Sequence, residues 1–288
     1  MKLNINGELW DCKKNVVMGI LNVTPDSFFA ESRCTDATAI LKRAEEIVSQ
    51  GGEIIDIGGY SSRPGCADVT EEEEIKRVTT ATKLIKKEFP NAIISIDTFR
   101  SNVAKAAIQD CGANIINDIS GGEMDPKMFE TAAKLKTPYI LMHMKGNPQN
   151  MTQNTQYTDF KKEVLTYFAE RVNRLRLLGV NDIILDPGFG FSKTLEQNYE
   201  LLDDMECFEP FHLPILVGFS RKRMIWQLLE GTPEESLNGT SVLNTIALQK
   251  GACILRVHDV KEAVECVKIY EKMKSCSSRK ESFPYSYI

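Results

Sequence analysis

Eight short, β-branched apolar runs divide this 288-residue chain into a regular rhythm: VVMGI at 16–20, EIIDIG at 53–58, IISID at 93–97, NIIND at 114–118, YILMH at 139–143, IILDP at 183–187, PILVGF at 214–219 and CILRVHD at 253–259. Runs of this length without alternation predict strands covered on both faces, as in a parallel sheet. Their starts fall 21 to 44 residues apart, room for a crossover helix each time. The intervals carry helical spacing, for example Ala39, Leu41, Ala44 and Val48 before Gly51, and Val164, Phe168, Val172 and Leu175 before Gly179. Eight βα units suit a closed (β/α)8 barrel, with an open doubly wound sheet as the other arrangement the count allows.

The remaining segments are short. LNINGELWDC offers an Asn6-Gly7 turn between two short alternating runs, a hairpin over 1–13 placed to plug the bottom of a barrel. From Ser275 the periodicity stops, which predicts a loose tail over 276–288. No linker interrupts the rhythm, so one domain is expected over 1–288. The chain holds 35 basic and 40 acidic residues, for a net charge of −5, with the acidic excess expected on outer helices such as EEEEIKR at 71–77. No dense basic block suggests nucleic-acid binding. No apolar run approaches a membrane span, and the N-terminus is too polar for a signal peptide. Eight scattered cysteines (Cys12, Cys34, Cys66, Cys111, Cys207, Cys253, Cys266 and Cys276) lack metal-ligand spacing, and reduced thiols in a cytoplasmic protein are expected.

Five of the runs end in an acid: Asp56, Asp97, Asp118, Asp186 and Asp259. In a barrel those ends share one face. Each aspartate taken alone is equally a cap or turn residue. Asn22, Asn117, His143, Lys222, Arg256 and His258 lie at the same strand ends, and that density of polar groups points to an active site. The loops 22–33 and 58–69 either cover that mouth or merely connect elements. GFSRKR at 218–223 sets Arg221, Lys222 and Arg223 where such barrels bind anions, although a solvated basic turn would read alike.

The strings MGILNVTPDSF (18–28), SSRPG (61–65), SIDT (95–98), NDISGG (117–122), LDPGFGF (185–191), GFSRKRMI (218–225) and RVHDV (256–260) closely resemble the dihydropteroate synthase family of folate biosynthesis across nearly the whole chain. The resemblance implies a (β/α)8 TIM barrel, usually a homodimer and a sulfonamide target. It joins 6-hydroxymethyl-7,8-dihydropterin pyrophosphate to p-aminobenzoate with Mg2+, giving 7,8-dihydropteroate and pyrophosphate. Carried over, Asn22, Asp97, Lys222, Arg256 and His258 would be catalytic. The pterin would meet Asp97, Asn117, Met142, Asp186, Gly190, Phe191, Gly218, Lys222 and Arg256. The diphosphate would meet Asn22, Arg63, Arg256 and His258, with the arginines and histidine acting as cations. p-Aminobenzoate would meet Phe28, Ser62, Pro64, Phe191, Ser220 and Lys222, and Asn22 would ligate Mg2+.

Two loop features depart from the family pattern. Glu31 stands one position along from the usual lid aspartate, with Ala30 before it, and Tyr60 stands where glutamate is frequent. A pterin-binding methyltransferase or a non-catalytic pterin-binding subunit would share the ring-reading residues. The RPG loop, the SRK turn and the RVHD strand favour the synthase over the methyltransferase, which needs no diphosphate site, and intact Asn22, Arg63, Lys222 and Arg256 speak against a non-catalytic subunit.

Overall fold

The computed structural model describes residues 2–5, 7–11, 14–24, 36–60 and 69–277. Strands β1 (Lys2–Ile5) and β2 (Glu8–Asp11) form the antiparallel hairpin, pairing Ile5 with Glu8 around Gly7, whose φ is 87°. There follow β3 (Val16–Asn22), α1 (Ala37–Ser49), β4 (Ile54–Gly58), α2 (Glu71–Glu88), β5 (Ile93–Asp97), α3 (Ser101–Cys111), β6 (Ile115–Asp118) and α4 (Met128–Leu135). The second half holds β7 (Tyr139–Met142), α5 (Phe160–Leu177), β8 (Ile183–Asp186), α6 (Leu195–Asp203), β9 (Leu216–Val217), α7 (Arg223–Trp226), α8 (Leu237–Gln249), β10 (Ile254–Val257) and α9 (Val260–Ser277).

Each apolar run forms a strand, and all eight are parallel in the order β8-β7-β6-β5-β4-β3-β10-β9. A parallel bridge between Leu185 and Ile215 joins the two ends, so the sheet closes into a barrel and the open alternative is discarded. Several helix starts are fixed by side-chain caps: Asp36 accepts from Ala39 N at 2.9 Å, Thr70 caps α2, Asp159 caps α5, and Thr194 with Gln197 forms a capping box on α6.

Side chains two apart on a strand share a face, and this alternation sorts the barrel interior into layers. At the bottom Met18, Ile54, Ile115, Ile140, Ile184, Leu216 and Ile254 form one apolar cluster with Leu3 and Ile5 of the hairpin. The hairpin is therefore the plug, tied down further by Asn4 N donating to Asp182 Oδ1 at 2.8 Å. Two residues further along the same strands stand Ile20, Asp56, Asn117, Met142, Asp186, Gly218 and Arg256, so four of these seven positions turn from aliphatic to polar in one step.

Outward-facing Ile55, Ile57, Ile94, Ile96, Leu141 and Leu185 pack with Ile47, Val78, Phe168 and Leu175 of the helices in the main core. Burying one such side chain contributes about 1.5–3 kcal/mol. Two expectations need correction. Helix α9 continues through Ser277, past the expected boundary at Ser275, and residues 278–288 lie outside the described set. Glu74, expected on the solvated face of α2, is fully buried; it accepts from Thr98 Oγ1 at 2.6 Å and from Arg100 Nη1 at 2.7 Å.

Candidate active site

The polar layer is organised around Arg256. From β10 its Nε donates to Asp56 Oδ2 and its Nη2 to Asp97 Oδ2, both at 2.7 Å. Asn117 Nδ2 donates to the same Asp56 carboxylate at 3.2 and 3.3 Å. One buried carboxylate on β4 thus orients two residues on other strands, and Asp56 is a site residue that sequence reasoning noted as a strand-end acid without assigning a role.

Burial pushes Asp97 up to about 7; Arg256 opposes this, while the charges of Asp56, Glu74 and Asp118 add to it. Asp186 is also raised, chiefly by burial, against the charge of Lys222 and the hydrogen bond from Gly188 N at 2.8 Å. Lys222 is lowered to about 8 by burial, with Asp186 working against the shift.

Lys222 donates to Phe189 O and lies 4.6 Å from the Phe191 ring centroid. Phe191 in turn belongs to an apolar cluster with Met142, Met144, Phe99 and Tyr60, giving the polar layer a hydrophobic wall. A Cβ on Gly218 would lie 3.9 Å from Lys222 Nζ and 3.8 Å from Arg256 Cβ. Gly190, at φ 80°, runs beside the Lys222 stem. Aligned carboxylates, an amide, an ammonium and a guanidinium over a flat apolar wall suit a planar heterocycle rich in N–H and carbonyl groups.

At the mouth Ser220 and His258 pair across strands. The His258 backbone N–H donates to Ser220 Oγ at 3.1 Å, and the same hydroxyl lies 3.0 Å from His258 Nδ1. Burial and then the charges of Arg256, Arg43, Arg221 and Lys222 push His258 down to about 3. The sequence reading made it a cation; burial among four positive charges instead favours its neutral form.

The Arg221 guanidinium is bidentate to Asp259 at 2.8 and 3.0 Å and reaches Pro233 O and Glu234 O, so it staples the end of β10 to the approach of α8. Arg223 is exposed and donates to Gln227. Asp118 follows the capping alternative: it accepts from Ser120 N, Ser120 Oγ, Gly122 N and Tyr139 Oη.

Arg63, Phe28, Ser62, Pro64 and Glu31 lie outside the described residues. Tyr60, whose ring meets Phe99 edge-on at 5.1 Å, accepts from Gln149 Nε2 at 3.1 Å.

The Mg2+ expectation can be tested on donor chemistry. Among the described residues no group of three His, Cys, Asp or Glu could cage a metal. At Gly58 a Cβ would sit 3.1 Å from Asn22 Oδ1 and 3.9 Å from Asp97 Oδ2, so the missing side chain leaves space bordered by two oxygens. Hard oxygen donors in small number fit a cation that keeps most of its waters or takes phosphate oxygens. A separate cavity of about 450 Å3, lined by His143, Tyr157, Tyr167 and Arg171 among others, touches the end of β7 but lies outside this site.

The family model described as pterin binding enzyme matches residues 18–258. The dihydropteroate synthase of Escherichia coli strain K12 is 43% identical over 282 residues, covering 97% of this chain and 99% of the relative. A Yersinia pestis dihydropteroate synthase solved with a sulfonamide drug superposes with a TM-score of 0.90 at 41% identity, covering 96% of this chain and all of that one. The Thermus thermophilus enzyme in complex with 4-aminobenzoate gives 0.84 at 32% identity, covering 95% of this chain and all of that one. With the fold, the polar layer and this near-complete coverage in agreement, the chain belongs to the dihydropteroate synthase family of pterin-binding enzymes.

Proposed function

We propose that this barrel condenses 6-hydroxymethyl-7,8-dihydropterin pyrophosphate with p-aminobenzoate, using the strand-end residues in distinct roles. The observation that carries the reading is the polar layer itself, with Asp56, Asn117, Asp186 and Arg256 one step above the aliphatic floor, Asp97 at the end of β5 bound to Arg256, and Lys222 reaching in from the start of α7. The pterin's exocyclic amine and ring N–H groups pair with the carboxylates of Asp97 and Asp186. Its carbonyl and ring nitrogens take N–H donors from Asn117 and Lys222. Met142, Phe191 and the Arg256 plane cover the ring faces, with Gly190 and Gly218 leaving the ring room. A ring lacking those groups would strand buried partners, which is how the pocket discriminates.

The aryl amine is neutral and nucleophilic at pH 7, so no strong base is needed. The C–O bond to the diphosphate breaks with its electron pair leaving on pyrophosphate, the amine nitrogen bonds to the methylene carbon, and a proton is lost from nitrogen. Arg256, with Arg63 and the His258 ring, stabilises the negative charge that gathers on the leaving group. Asn22 would hold Mg2+ together with diphosphate oxygens, where the ion supplies further charge neutralisation. Ser220 and Lys222 receive the p-aminobenzoate carboxylate, and Phe28, Ser62, Pro64 and Phe191 its ring.

A homodimer is part of this reading. Leu228, Leu229, Val242, Ile269 and Met273 are exposed on the α7, α8 and α9 side, a placement that supports association there. Calorimetric titration with the pterin diphosphate tests the site. Wild-type protein should bind, and Asp97→Asn, which turns an acceptor toward ring N–H groups into a partial donor, should weaken binding by about tenfold or more. Equal affinity in the two proteins would overturn the ring-reading assignment.

A further inference from the structure

Between β8 and α6 the segment Gly188–Lys193 makes three left-handed residues in alternation, Gly188 (φ 68°), Gly190 (80°) and Ser192 (48°). Its carbonyls are divided between two lysines. Phe189 O accepts from Lys222, which is inside the site. Gly188 O and Phe191 O accept from Lys193 Nζ at 2.9 and 3.1 Å, and the third Lys193 donor goes to His143 Nδ1 at 3.0 Å. In its protonated form three donors thus meet three acceptors; burial pushes Lys193 down to about 7 against the charge of Asp186, and these contacts hold the ammonium.

His143 is equipped as the third acceptor. Burial and the charges of Lys193, Arg171 and Lys145 hold its ring well below the ordinary histidine range, hence neutral. The loop is fixed elsewhere as well: Gly190 N donates to Asn198 Oδ1 at 2.6 Å, and Ser192 Oγ donates to Lys145 O at 2.7 Å.

We propose that Lys193 is a positioning residue for the pterin site. By drawing the carbonyls of Gly188 and Phe191 away from the barrel axis, its ammonium sets the Phe191 ring and turns the Phe189 carbonyl toward Lys222. It touches neither substrate. The inference rests on the reading that Phe191 and Lys222 contact the pterin.

The test is Lys193→Met, which keeps the stem and removes all three donors, compared with Lys193→Gln, which keeps an N–H donor. Binding of the pterin diphosphate alone, by calorimetry well below the melting temperature, should weaken about tenfold or more in Lys193→Met and by an intermediate factor in Lys193→Gln. Turnover at saturation should stay within about threefold of wild type. Asn198→Ala, which frees Gly190 N–H from the other side, should weaken pterin binding in the same direction and serves if Lys193→Met fails to fold. A role in stability alone would lower the melting temperature while leaving pterin affinity within twofold of wild type in Lys193→Gln and Asn198→Ala, and that result would overturn the proposal. Absence of binding by wild-type protein would instead remove the pterin reading on which it rests.

Discussion

Replacing Asp56 by asparagine isolates the contact on which the polar layer turns. Asp56 is fully buried and accepts from Arg256 Nε at 2.7 Å and from Asn117 Nδ2 at 3.2 and 3.3 Å. Asparagine has the same shape but a single acceptor oxygen. Oδ2 accepts from both Arg256 and Asn117, so an amide oxygen placed there keeps both contacts while the new N–H group confronts the Asn117 amide; the reverse orientation sets N–H groups against the guanidinium. In either orientation Arg256 loses its anionic acceptor, and a hydrogen bond to a charged group is worth about 1.5–3 kcal/mol.

Because Arg256 keeps Asp97, the side chain should stay in the barrel but lose its fixed orientation. Expressed in the transition state, the loss corresponds to a fall of about 10- to 150-fold in kcat/KM for the pterin diphosphate. Removing the Asp56 charge also removes one of the groups that push Asp97 up to about 7, so the apparent pKa of Asp97 should move down. Pyrophosphate release measured from pH 5.5 to 9 reads both effects. Unchanged kcat/KM with an unshifted profile would refute the argument that Asp56 orients Arg256.

Other expectations concern stability. Arg221→Gln should cost about 1.5–3 kcal/mol through loss of the bidentate Asp259 pair. Denaturant unfolding should show it, and an unfolding midpoint equal to wild type would contradict it. Gly188→Ala places a Cβ 2.1 Å from His143 O at a φ of 68°, and should lose at least about 1–3 kcal/mol from strain before the clash is counted. A melting temperature equal to wild type would contradict this.

His258 is neutral when folded down to about 3 and titrates near 6.5 when unfolded, so the unfolded chain binds the extra proton between those values. Acidification from about pH 6 to 4 therefore costs stability, about 1.4 kcal/mol per pH unit from this group. His258→Asn should flatten the pH dependence of unfolding by that slope, and parallel curves would show that His258 charges freely in the folded protein.

The barrel was legible because a strand buried on both faces must be apolar throughout, and eight such runs spaced for crossovers leave few topologies. The polar layer was partly legible from strand-end acids. What sequence could not separate was their fates, because these depend on the donors that fold back. Asp118 is followed by Ser120 and Gly122, which satisfy it locally, whereas Asp186 receives one backbone N–H and keeps capacity for a ligand.

The partners that fix Arg221 and His258 were hidden for a related reason. Asp259 and Ser220 are 38 residues away in each pair, and no local pattern announces them. Glu74 did leave a signal, since it precedes Val78 by four residues and Ile85 by eleven on the buried face of α2. The run of four glutamates hid it. Lys193 left none, because its role exists only once the loop carbonyls turn toward it.

The central claim, that this chain joins a pterin diphosphate to p-aminobenzoate, is tested most directly by one measurement. Purified protein is incubated with 6-hydroxymethyl-7,8-dihydropterin pyrophosphate, p-aminobenzoate and Mg2+, and both products are followed by mass spectrometry and a pyrophosphate assay. The account predicts 7,8-dihydropteroate and pyrophosphate in equal amounts, with no dihydropteroate when either organic substrate is omitted. Absence of dihydropteroate with both present would contradict it.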